Sequence, residues 1–62
     1  MAFDLKAKRE AAGITQEQLA EKVGITRQAI GQYETFVNRP SVSVAKAIGN
    51  ELDFDWTEFY KD

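Results

Sequence analysis

Arg27, Gln28 and Gln32 are the residues of this chain best equipped to bind a partner. On a helix they share one face, because Ile30 and Tyr33 take the opposite face. A guanidinium can bond guanine O6 and N7 together, and a carboxamide can bond adenine N6 and N7. Three such groups on one outer face suit base-pair edges better than a merely solvated surface. Gly31 lies on the same face. It reads nothing itself and lets a helix come closer to a groove. Catalysis fits poorly. The chain has no histidine and no cysteine, so the commonest general base, the commonest metal ligand and any thiolate are missing. Its carboxylates are scattered over solvent-facing positions, and no cleft-forming architecture is evident. The chain reads as a non-enzyme, with no metal, no cofactor and no evident small-molecule effector.

The elements that must position these residues lie around them. The stretch 16–34 reads QEQLAEKVGITRQAIGQYE. Leu19, Ala20, Val23, Ile25, Ile30 and Tyr33 form an inward stripe, and Gly24 falls where the backbone reverses. That pattern is a helix-turn-helix, a motif whose second helix usually enters the major groove of DNA. Thr15 and Gln18 predict a capping box at the start of the first of these helices, over 16–23. Thr26 predicts the N-cap of the second, over 27–35. Its hydroxyl could also meet a phosphate or a thymine methyl, but capping is its firmer role.

About five short helices are expected, in an all-α bundle covering 1–62 as one domain. The first spans 2–12, with Phe3, Leu5 and Ala12 inward, and Gly13 ends it. After a loop over 36–40, a fourth helix spans 41–52, with Val42, Ala45, Ile48, Gly49 and Leu52 on one face. Gly49 predicts a very close neighbour there, since glycine in a helix interior costs on the order of 1 kcal/mol. Asp53 serves as a left-handed stop. Asp55 and Glu58 resemble a second capping box, opening a short helix over 56–60. Phe54, Trp56, Phe59 and Tyr60 cluster near the C-terminus. They either close the core or make a two-fold dimer contact.

Composition sets the limits. Sixty-two residues bury only about 60% of the unfolded surface, so the core is small. No apolar run reaches the roughly 20 residues that span a bilayer, and 1–10 has no signal-peptide stretch. A cytoplasmic protein is the default expectation. The net charge of −2 argues against a non-specific nucleic-acid binder. Its distribution is uneven. Residues 1–46 carry seven Lys and Arg against five Asp and Glu, whereas 47–62 carry one Lys against five. A mildly positive face and a negative rear could orient the molecule toward phosphates.

The stretch TQEQLAEKVGITRQAIGQYE, the loop ending NRPS, the apolar helix after it and FDWTEFY together resemble the Cro/phage-repressor (XRE) type of helix-turn-helix domain. The resemblance runs from about Leu5 to Tyr60. It implies a lambda-repressor-like fold and a bacterial or phage transcriptional regulator. It implies phosphate contacts by Gln16 and, in the loop, by Asn38 and Arg39. It also implies an internal ion pair between Arg9 and Glu34. The chain departs from the type after the reading helix, where Phe36 and Val37 stand near a usual glycine, and in a loop poor in lysine. The reading is a repressor that binds a near-palindromic operator in double-stranded DNA as a homodimer, which could form only on DNA. The alternative is a protein-interaction module, an antitoxin or adaptor with the same fold.

Overall fold

The computed structural model describes residues 3–60. Four α-helices follow one another: α1 (Leu5–Ala11), α2 (Gln16–Val23), α3 (Arg27–Glu34) and α4 (Val42–Leu52). A 3-10 helix, Trp56–Tyr60, comes last. No strand occurs among the described residues. No helix among them is long and apolar enough to cross a membrane.

All four α-helices start and stop by the same two devices. Side-chain oxygens of Asp4, Thr15, Thr26 and Ser41 accept from the backbone N–H groups of Ala7, Gln18, Ala29 and Val44. Each thus satisfies an N–H that the helix leaves without a partner. At α2 the capping box is reciprocal, with the Thr15 N–H donating to Gln18 Oε1 at 2.9 Å. At the other ends, Gly13, Gly24, Phe36 and Asp53 turn left-handed, with φ of 74°, 84°, 62° and 57°. The next N–H then returns to the carbonyl five residues back: Ile14 to Arg9, Ile25 to Ala20, Val37 to Gln32 and Phe54 to Gly49. This closure usually has glycine at the left-handed position. Phe36 takes that position without it. Ile14, Ile25 and Phe54 fold back on the core, whereas Val37 stays 67% exposed.

Several expectations need correction. The first helix begins at Leu5, because Asp4 caps it in an extended conformation. Residue 2, its expected start, lies outside the described residues. Ala12 is its cap and is exposed. Thr35 and Ser41 are caps rather than helical residues. Val42 is exposed rather than on the inner face of α4. The fifth element is a 3-10 helix, so the count is four α-helices among the described residues. At its opening the Asp55 carboxylate accepts from the N–H and hydroxyl of Thr57, two residues on.

Leu5, Leu19, Ile30 and Ile48, one from each α-helix, are fully buried. Ala20, Ala45 and Phe59 complete the centre. The rings of Phe3, Phe54 and Phe59 close one end, with the Phe3 centroid 5.1 Å from Phe54 and 4.9 Å from Phe59. Gly49 is where the C-terminal segment comes closest. A Cβ there would lie 2.8 Å from the Phe54 carbonyl oxygen and 3.0 Å from Trp56 Cβ. The first of these is backbone and cannot rotate away. Gly49→Ala is therefore expected to lose about 1–2 kcal/mol net, overpacking outweighing the gain in helix propensity. Thermal melts followed by helical circular dichroism should show a midpoint lowered by about 5 °C or more.

Candidate nucleic-acid interface

The inner face of α3 is fixed before its outer face can do anything. Ile30 is fully buried, and Ile25 and Tyr33 pack beside it. A polar network then ties the C-terminal end of α3 to the two preceding helices. Arg9 Nε of α1 donates to Glu34 Oε2 at 2.6 Å. Arg9 Nη1 donates to the Ile14 carbonyl at 2.9 Å. Gln16 Nε2, in the first turn of α2, donates to Glu34 Oε1 at 2.8 Å. The side chains of the charged pair are only 10% and 4% exposed. Both carboxylate oxygens thus take charge-assisted bonds, which are short and directional. The network sets the angle of α3 against α2 more sharply than apolar packing alone.

The opposite face of α3 is polar and open. Gln16, Arg27, Gln28, Gly31, Gln32 and Thr35 line one shallow groove. Arg27 and Gln28 are exposed, and Gln32 and Gly31 are half-buried. The structure thus brings together the three proposed base-reading residues and Gln16. Asn38 Nδ2 donates to Gln32 Oε1 at 2.9 Å, which fixes the orientation of the Gln32 amide. Asn38 is therefore tied to the end of this polar face, while Arg39 is exposed in the same loop. The Thr26 hydroxyl accepts from the Ala29 N–H at 3.1 Å, its capping role.

Sequence reasoning passed over one groove residue, Thr35. Its position, four after Gly31 and eight after Arg27, would have placed it on this face. Its hydroxyl donates to the Gly31 carbonyl at 3.0 Å.

The C-terminal aromatics find partners within the chain. Phe59 is 8% exposed and offers little to a second molecule. Trp56 packs at Gly49 and edge-on to Tyr60, with Lys46 Nζ 5.4 Å from its ring centroid. The Tyr60 hydroxyl donates to the Pro40 carbonyl at 2.5 Å. Among the described residues the strongly exposed large apolar side chains are instead Phe36, Val37 and Val42. Among the described residues no cluster of three acidic side chains could hold a metal ion.

The comparisons agree with this geometry. Residues 5–59, nearly the whole described chain, match the profile of the helix-turn-helix family. An uncharacterized HTH-type transcriptional regulator of Bacillus subtilis, YqaF, is 43% identical over 58 residues, 94% of this chain and 76% of its own length. An uncharacterized HTH-type transcriptional regulator of Methanothermobacter thermautotrophicus is 41% identical over 51 residues, 76% of this chain and 74% of its own. A putative HTH-type transcriptional regulatory protein of Methanocaldococcus jannaschii is 51% identical over 49 residues, 79% of this chain but 15% of its own. No solved structure matches. The two capped helices about Gly24, the buried stripe behind them and the match over 5–59 have one explanation: the chain belongs to the helix-turn-helix family.

Proposed function

We propose that the chain is a sequence-specific DNA-binding transcriptional regulator that acts as a repressor. One observation carries this reading most. Arg27, Gln28 and Gln32 share the open face of a helix whose back is locked by Ile30 and by the Arg9–Glu34–Gln16 network. A helix held in this way presents donors and acceptors to base edges without first having to be ordered itself. The regulator names of the relatives support the same reading.

On this account α3 lies in the major groove, with Arg27, Gln28 and Gln32 on base edges. Gln16, Asn38 and Arg39 hold phosphates, with Thr26 in support. Two copies bind a near-palindromic operator with half-sites about 34 Å apart. The half-buried edges of Phe54, Trp56 and Tyr60 offer a dimer contact. The compartment is the one that holds the DNA, the cytoplasm. Repression follows from occupying a promoter.

The test is a titration of duplex DNA at several salt concentrations. Sequence-selective binding is expected, with a shallow salt slope because few cations line the face. Arg39→Ala should reduce that slope by about 1 and weaken all sequences alike, as the loss of a phosphate contact does. Equal affinity for every duplex would contradict the reading.

One observation favours the second reading, a protein-interaction module. Phe36, Val37 and Val42 are 64%, 67% and 50% exposed. On that reading the same titration shows no sequence preference, and substitutions at these three positions abolish partner binding.

A further inference from the structure

Three of the four glycines are explained by the fold itself. Gly13 and Gly24 have positive φ, and Gly49 lies under the Phe54 carbonyl. Gly31 has neither reason. It lies in the interior of α3, where only proline is less favourable than glycine. A Cβ added there would meet no atom nearer than Gln16 Nε2 at 4.0 Å. The protein would fold at least as well with alanine, so the gap at Gly31 serves something outside the chain.

The chemistry of the gap narrows what that is. The Gly31 carbonyl already accepts twice, from the Thr35 N–H at 3.1 Å and the Thr35 hydroxyl at 3.0 Å. Its N–H lies inside the helical ladder of α3. The floor of the gap therefore has no polar group left to offer, although polar Arg27, Gln28 and Gln32 surround it. It fits an apolar group flanked by hydrogen-bonding ones. In the major groove the apolar group on a base edge is the C5-methyl of thymine.

We infer that Gly31 forms a methyl-sized notch in the reading face that seats a thymine C5-methyl and selects thymine at one position of the site. This rests on the DNA-reading function proposed above.

The test compares wild type with Gly31→Ala on a site selected by the wild type from random duplex DNA. Each thymine of that site is replaced in turn by uracil, which removes only the methyl group. One replacement should weaken wild-type binding about fourfold, the expected effect of one buried methyl. The same replacement should leave Gly31→Ala unaffected. The variant should melt about 5 °C higher and bind the thymine site at least tenfold more weakly. Equal binding by the variant, or equal sensitivity to uracil at every position, would overturn the notch while leaving DNA reading intact. Failure of the wild type to select any site would appear before any variant is compared, and would overturn both.

Discussion

Glu34→Ala is expected to cost the protein a third or more of its stability, about 3–5 kcal/mol. The substitution strands the Arg9 guanidinium, whose side chain is only 10% exposed and whose Nε donates to Glu34 Oε2 at 2.6 Å. It also removes the acceptor of Gln16 Nε2. Breaking a buried pair from one side typically costs about 3–5 kcal/mol. A chain of this size has a total stability of about 3–9 kcal/mol. Arg9→Ala should be comparably damaging, since it leaves the Glu34 carboxylate with only the Gln16 amide. Replacing both together, Arg9→Met with Glu34→Leu, should be much milder, because no charge is then left buried. Urea unfolding followed by Trp56 fluorescence reads all three variants. A loss below about 1 kcal/mol for Glu34→Ala would show that water reaches the pair and that the network does not hold α3.

This network shows how much of the molecule was legible in the sequence. The starts of α2 and α3 were readable because the signal is local: Thr15 and Thr26 each lie three residues before the N–H they cap. Asp4 and Ser41 cap at the same spacing, but without a glutamine or glutamate three residues on they passed for ordinary residues. Gly13 and Gly24 were readable because their signal is local too. The turn at Phe36 was not, because its left-handed φ of 62° contradicts the preference of a phenylalanine. Val42 had the right spacing to be inward, yet only the packing around it decides burial. In the site, the shared face of Arg27, Gln28 and Gln32 followed from helical periodicity. The bond from Gln16 to Glu34 joins residues 18 positions apart, and no local pattern carries it. The hold of Asn38 on Gln32 depends on the path of the loop, which the sequence leaves open.

The second large effect concerns binding rather than folding. Replacing Arg27, Gln28 and Gln32 together by alanine should abolish selective DNA binding and spare the fold. None of the three lies in the buried core, and alanine is the best helix former at each position. The melting midpoint should move by only a few degrees, with loss of the Asn38–Gln32 bond as the main structural change. Each well-placed base contact is worth about 1–3 kcal/mol, so the triple variant should lose more than a hundredfold in affinity for the selected site. Affinity for unrelated DNA should fall much less, because phosphate contacts supply most of it. A variant that melts normally and binds the selected site as before would place the reading elsewhere on the molecule.

Selection of bound sites from random duplex DNA decides whether α3 reads base sequence. A two-fold-symmetric motif is expected, with half-site centres about 10 base pairs apart. That motif should vanish when Arg27, Gln28 and Gln32 are replaced by alanine. If the wild-type protein enriches no motif, or if its motif survives the triple replacement unchanged, α3 is not the reading element.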